Sequence, residues 1–450
     1  MEQTFFFYDL ETSGLNPRED RLMQFAGIRT DLDLNPIGEP INVLVKLSDD
    51  TLPSPYAIMV TKITPQSTLM DGFTEAEFCK YAMDEIFTPG TIAVGYNSVR
   101  FDDEFMRFTF WRNFYDPYEW QWKDGRSKWD LLDVVRMTRA LRPDGISWPV
   151  DDEGKATNRL ELITKQNGIT HAHAHDALSD VEALIDVTRL IKEKQPQLYN
   201  YLFKMREKKV VQQLINLEKP VPFVYSSGRY SSQNEKTTVA YPIAPAKNGN
   251  VLVFDLRQNL DELLKQEEPS FFPTVKELKY NRCPAVAPLG VLEQGDGWGR
   301  INLAKAQVQE NLKSLLAHPE FIEQMRTENE ENDEFPYAFD PESALYEGFL
   351  DDSDRTRCNA VRTATQNDLA DFHPDFHDPR LPELLLHYKA RNFPNTLSES
   401  EHKKWEEYRA KRIKASKDEY VEAIQKLAAS GADSYLLEEL HLWYQSIIPY

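Results

Sequence analysis

Apolar residues in the early part of the chain fall into short runs closed by turn residues, and between those runs they recur at helical spacing. Phe5–Leu10 is an apolar run of strand length, ended by the turn-rich Ser13-Gly14-Leu15-Asn16-Pro17. Met23–Arg29 and Pro40–Leu47 predict a second and a third strand. Thr91–Tyr96 predicts a buried fourth, bounded by Asn97 and Ser98. Helical periodicity covers Glu75–Phe87, Asp103–Asn113 and Leu131–Leu141. Three early strands followed by mixed strand and helix predict an α/β sheet with an antiparallel edge, assigned to a first domain over residues 1–192.

Beyond that point the pattern changes. Between Val210 and about Leu315, short β-rich runs (Pro222–Tyr225, Thr237–Ala240, Val251–Leu256) alternate with turn signals such as Lys247-Asn248-Gly249-Asn250, predicting a small β-rich second domain over residues 193–330. The acidic, polar run Glu328-Asn329-Glu330-Glu331-Asn332-Asp333-Glu334, followed by Pro336, is the expected linker. After it, residues 336–450 form a predicted helical domain, with helices over Leu381–Arg391, Glu399–Ser416, Asp418–Ala429 and Asp433–Ile447. A chain of 450 residues exceeds what one ordinary core organises, which agrees with this division.

Composition changes the picture in a few respects only. No stretch approaches the roughly 18 consecutive apolar residues of a membrane helix. The three cysteines, Cys79, Cys283 and Cys358, are too few and too scattered for a disulfide framework or a structural zinc site, so a reducing cytoplasm is expected. A net charge of −21, taken by itself, opposes a nucleic-acid partner. Carboxylates gathered at a metal site and over the surface account for such a balance, while a polyanion feels the local field of its own groove.

The chemistry lies in three short motifs. In Asp9-Leu10-Glu11-Thr12 the two acids stand two residues apart on a strand and so project from one face, where they repel one another unless a cation lies between them. An oxygen-only donor set suits Mg²⁺ or Mn²⁺. The pair alone also fits an ordinary surface strand. Asn97-Ser98-Val99-Arg100-Phe101-Asp102 joins the fourth strand to a helix, with Asp102 at the helix start; a simple N-cap is the bland alternative, and Asp103 and Glu104 compete with it, though the Phe-Asp step favours Asp102. In His175-Asp176-Ala177-Leu178-Ser179-Asp180, five helical residues would turn through about 500°, so His175 is expected in the entering loop and Asp180 in the first turns. Asp176 reads as an N-cap. The neighbouring His171-Ala172-His173-Ala174-His175 also admits a soft-metal site or a plain loop, with no further ligand spacing to support the metal.

Asp9, Glu11, Asp102, His175 and Asp180, in this order and on these elements, resemble the signature of the DEDDh exonucleases, whose fold is ribonuclease H-like. The segments GYNSVRFDDEF, RNFYDPY, WDLLDVVR, ALRPDGI, KQNGI, HDALSDV, NRCP and YKARNFPNTL extend the likeness over nearly the whole chain to the bacterial exodeoxyribonuclease I family. That resemblance implies an exonuclease domain followed by an SH3-like domain and a helical C-terminal domain. It further implies a processive 3′→5′ exonuclease that degrades single-stranded DNA to nucleoside 5′-monophosphates in DNA repair and recombination. Two Mg²⁺ ions, replaceable by Mn²⁺ and about 3.5–4 Å apart as in two-metal nucleases, would be held by Asp9, Glu11, Asp102 and Asp180, with His175 as general base.

Substrate contacts are expected from Glu11, Asn97 and Arg159, and docking of the acidic tail of single-stranded DNA-binding protein from Arg142. Glu293 stands where a basic residue would help that pocket. A monomer is expected. Trp111, Arg112, Phe114, Tyr115 and Tyr118, and again Arg391, Phe393, Lys403, Lys404, Trp405 and Arg409, interleave aromatic and basic side chains as single-strand binding sites do; at such spacing they also fit a packed core. Lys411, Arg412 and Lys414 fit a solvated helix face. An exonuclease acting on RNA or short oligonucleotides, and a non-catalytic DNA-binding scaffold, are the competing readings.

Overall fold

A computed structural model describes residues 2–171, 176–266, 271, 274–331 and 340–448. The first sheet has five strands in the order β3-β2-β1-β4-β5: β1 (Thr4–Thr12), β2 (Leu22–Thr30), β3 (Ile41–Leu44), β4 (Thr91–Gly95) and β5 (Ser127–Asp130). β1, β2 and β3 pair antiparallel, whereas β4 and β5 lie parallel to β1. Alternation along β1 decides which face each side chain meets. Phe5 and Phe7 join the core beneath the Ala177–Lys194 helix, with Val181, Leu184 and Ile185. Phe6, Tyr8 and Leu10 enter a separate core with Phe105 and Met106 of the Asp102–Arg112 helix. The sheet is thus covered on both faces, as ribonuclease H-like topology requires.

β1 pairs with β4 only from Thr4 to Phe7, then runs on past the end of its neighbour. Strand order reverses between these two strands, which opens a crevice at their carboxyl ends.

A second sheet, order β10-β6-β7-β8-β9, is antiparallel throughout: β6 (Phe223–Ser226), β7 (Thr237–Ala246), β8 (Asn250–Asp255), β9 (Val275–Leu278) and β10 (Ala285–Pro288). The C-terminal part is helical, with Asp352–Thr363, Leu381–Asn392, Glu399–Ala429 and Ser434–Ile447 its longer helices. It packs on the first domain through Met23, Leu47, Leu52 and Ile58 against Ile413, Tyr420, Leu440 and Trp443.

Several sequence expectations change. β5, β9 and β10, of four residues each, lie outside the expected strands. Glu75–Phe87 is an α-helix over Glu75–Tyr81 that widens into a π-turn over Ala82–Ile86. The helices expected over 399–416 and 418–429 are one helix of 31 residues, because the Ser416-Lys417-Asp418 step contains no glycine or proline to end it. The expected linker begins inside the Pro319–Glu331 helix, where Gln324–Glu328 and Arg326–Glu330 contacts at i,i+4 spacing extend the helical run; its remainder lies outside the described residues.

Candidate active site

The face rule that buries Phe5 and Phe7 carries Asp9 and Glu11 to the same side, at the crevice. The Ala177–Lys194 helix begins there. Asp176 caps it by accepting from the Ser179 amide at 3.0 Å, and Asp180 projects from its first turn. Asp9, Glu11 and Asp180 each bring a carboxylate oxygen within 4.8 Å of the others. Asp102 arrives from the opposite face of the sheet, buried at the start of the Asp102–Arg112 helix.

A tight turn delivers it. Gly95 ends β4 where an added Cβ would lie 2.4 Å from the Ser98 Cβ, and Asn97 is left-handed at φ 65°. Asp130 fixes this turn from β5: Oδ1 accepts from the Asn97 and Leu132 amides at 3.0 Å each, and Oδ2 accepts from the Val99 amide at 3.2 Å. Burial, then Asp133, lifts the Asp130 carboxyl to about 6, while these amides pull the other way.

Electrostatics separates Asp102 from its neighbour. Burial raises Asp103, but Lys128, Arg107 and the Tyr8 hydroxyl outweigh it and hold the group below the usual carboxylate range. Tyr8 donates to Asp103 at 2.6 Å and Lys128 lies at 3.3 Å, so Asp103 is committed to the fold. Asp102 goes the other way: burial, then Asp103, pushes it up to about 8. Glu11 is also pushed to about 8, by burial and then by Asp180 and Asp102. Burial followed by Asp102, Glu11 and Asp180 raises Asp9 well above its ordinary value. Four acids gathered here, three of them held from ionising by burial and by neighbouring carboxylates, offer oxygen donors alone and fit a divalent cation.

The other expected positions are distributed differently. His175 lies outside the described residues. Asn97 is half-buried in the turn before Asp102, whereas Arg159 is exposed at the start of the Leu160–Gln166 helix and pairs with Glu161. Arg142 lies apart, facing the second domain, where it donates to the Val291 carbonyl at 3.3 Å and to Gln294 Oε1 at 3.0 Å.

Of the two readings open for the aromatic and basic runs, the packed core holds at several positions. Trp111, Arg112, Phe114 and Trp405 are between 1% and 4% exposed, so in this conformation they cannot stack on bases. Trp111 donates to the Pro341 carbonyl, and Arg112 pairs with Glu75 at 2.8 Å. Arg391 binds Asp50 at 2.7 Å and Glu342 at 2.6 Å; Arg21 binds Glu342 at 2.7 Å; and Arg412, far from a solvated face, reaches Asp50 at 3.2 Å. This ionic network ties the C-terminal helices to the first domain.

Sequence reasoning missed Asp130, visible only as the last acid of Lys-Trp-Asp before a helix, and His171, one imidazole in a histidine-rich run.

Comparison with known proteins extends the picture. Three family profiles match in succession: Exonuclease over residues 6–188, Exonuclease I SH3-like domain over 206–271, and Exonuclease I C-terminal domain over 339–447. Exodeoxyribonuclease I of Haemophilus influenzae is 38% identical over 450 residues, covering 96% of this chain and 95% of that protein. The Escherichia coli exodeoxyribonuclease I is 36% identical over 469 residues, covering 99% and 98%. The crystal structure of E. coli Exonuclease I in complex with a dA16 oligonucleotide superposes with a TM-score of 0.95 at 36% identity, covering 99% of this chain and 100% of that one. With all three of its domains matched in order and the similarity running end to end, the chain belongs to the exonuclease I family.

Proposed function

We propose that this chain, an exonuclease dependent on a divalent metal, uses Mg²⁺ to degrade single-stranded DNA processively from its 3′ end to nucleoside 5′-monophosphates, in DNA repair and recombination. The observation that carries the reading is the convergence of Asp9, Glu11 and Asp180 within 4.8 Å, with Asp102 buried beside them and with burial and neighbouring acids opposing the ionisation of Asp9, Glu11 and Asp102. The complex of the E. coli relative with an oligonucleotide supports the substrate. Asp9, Glu11, Asp102 and Asp180 would hold two ions. Bound there, the cations supply activation of the attacking water and charge compensation at the leaving 3′ oxygen. His175 accepts the water's proton. Asp130 keeps the Asn97–Val99 turn in place, so that Asn97, Glu11 and Arg159 receive the terminal nucleotide and Asp102 faces the reacting phosphate.

Docking of the acidic tail of single-stranded DNA-binding protein at Arg142 belongs to the same proposal. Glu293 pairs with Lys305 at 2.8 Å, which offsets its negative charge beside that surface. Monomeric action in the cytoplasm completes it, and three separate buried thiols are in keeping with a reducing compartment.

The test compares 5′-labelled single-stranded DNA, duplex DNA and single-stranded RNA, each with Mg²⁺ and with EDTA. Stepwise, metal-dependent shortening confined to single-stranded DNA is expected. Preferential shortening of RNA would refute the substrate assignment, and cleavage undiminished in EDTA the metal assignment.

A further inference from the structure

Asp180 does not stand on its helix unsupported. His171 directs Nε2 to Asp180 Oδ1 at 2.6 Å, and its side chain is only 5% exposed. The other ring nitrogen, Nδ1, lies 3.2 Å from the Thr164 hydroxyl. Thr164 is fully buried on the Leu160–Gln166 helix, which packs beside the Ala177–Lys194 helix that carries Asp180. The imidazole therefore bridges two helices through one hydrogen bond at each nitrogen. When the Thr164 hydroxyl donates to Nδ1, the neutral ring carries its proton on Nε2 and donates it to Asp180. When that hydroxyl donates instead to the Glu161 carbonyl, 3.0 Å away, it accepts from Nδ1, and Nε2 again serves Asp180 as donor in the doubly protonated ring.

We propose that His171 is a positioning residue for Asp180: its Nε2–H holds the carboxylate in the rotation that presents it to Asp9 and Glu11, and Thr164 fixes the imidazole that does so. The inference rests on the metal-site reading above and adds a residue to it. A carboxylate on a single χ2 bond is a soft ligand unless an outer hydrogen bond sets its plane, and removing such a partner typically weakens metal affinity about 10–100-fold. His171 touches the ligand, not the reacting phosphate.

The experiment titrates Mn²⁺ into metal-free full-length protein by calorimetry, for wild type, Asp180→Ala, His171→Ala, His171→Gln and Thr164→Val, with folding followed by thermal melting in EDTA. His171→Ala is expected to weaken Mn²⁺ binding roughly 10–100-fold. His171→Gln, whose side-chain amide can still donate to Asp180, should recover most of that loss. Thr164→Val, which leaves the imidazole in place without its anchor, should weaken binding in the same direction and by less; it decides the matter if His171→Ala does not fold. On single-stranded DNA, kcat at saturating Mn²⁺ should fall less than metal affinity does, with the shape of the pH profile unchanged. Unaltered Mn²⁺ affinity in His171→Ala would overturn the inference, as would equal impairment of the Ala and Gln variants. Loss of one limb of the pH profile would also overturn it, by making His171 a proton acceptor. Absence of Mn²⁺ binding in wild type, or binding that survives Asp180→Ala, would overturn the metal-site reading itself and this inference with it.

Discussion

Replacing Glu11 by glutamine should abolish activity and yet stabilise the metal-free protein at neutral pH. Burial, Asp180 and Asp102 raise the Glu11 carboxyl from 4.5 to about 8 in the folded state. Between those values the native protein holds a proton that the unfolded chain releases. Stability is therefore fully present below the unfolded value and is lost as pH rises through the folded one. Taking about 1.36 kcal/mol per pH unit, the ionisable Glu11 costs roughly 3 kcal/mol at pH 7 and under about 1 kcal/mol at pH 5. Glutamine keeps the shape and cannot ionise. Because the neighbouring acids share the repulsion, a gain on the order of 2–3 kcal/mol at pH 7 is expected. For a unit the size of the first domain this corresponds to roughly 4–10 °C in its melting transition. The assay is calorimetric melting in EDTA at pH 5 and pH 7. Added Mn²⁺ should raise the wild-type transition and leave the variant nearly unmoved, since the variant lacks one of the four carboxylates proposed to hold the cation. A variant no more stable than wild type at pH 7, or one equally stabilised at both pH values, would refute the electrostatic argument.

Three further outcomes follow from the same geometry. Asp180→Ala should abolish cleavage while leaving DNA binding largely intact, measured by single-turnover digestion and fluorescence anisotropy; near-wild-type turnover would remove Asp180 from the metal site. Arg391→Met leaves Asp50 and Glu342, both fully buried, short of a partner, and should destabilise the protein by about 3–5 kcal/mol in denaturant or thermal melts. Burial opposes the ionisation of Asp50 and Glu342, but their arginine partners outweigh it and hold both groups low, so this contribution is present above the ordinary carboxylate range and lost only as pH falls through their depressed folded values. Asp130→Asn loses at least one of the amide contacts that fix the turn before Asp102, and kcat should drop by roughly 10–100-fold; an unchanged kcat would show that the turn holds without it.

The ionic network explains how a chain of net charge −21 brings so many arginines into contact with acids at one interface. Burying such charges contributes little net stability when all are paired, but it makes a misplaced C-terminal domain costly, because any other docking leaves a buried charge unmet. Specific placement of the helical domain over the exonuclease domain is the consequence.

The amino-acid sequence by itself determined the local geometry. Alternation along Phe5–Glu11 sets Asp9 and Glu11 on one face of a strand whatever surrounds it, and the 3.6-residue period of Ala177–Lys194 sets Asp180 one turn from its cap. The three-part division of the chain was legible for the same reason, since each part has its own period. What alternation and period do not specify is the partner on the other side of a face. Trp111 is open in the sequence between base stacking and core until Pro341, 230 positions away, accepts its indole proton, and Arg391 is open between DNA contact and core until Asp50, 341 positions away, claims it. The Phe101-Asp102 step favours Asp102 over Asp103 in the sequence, but the physical difference between them comes from the fold, which gives Asp103 a lysine, an arginine and a tyrosine hydroxyl and leaves Asp102 beside Asp9. His171 likewise gained its role from two helices meeting around it. Each of these was decided by tertiary structure because charge and hydrogen bonding act over a few ångströms in space, and separation along the chain does not measure that distance.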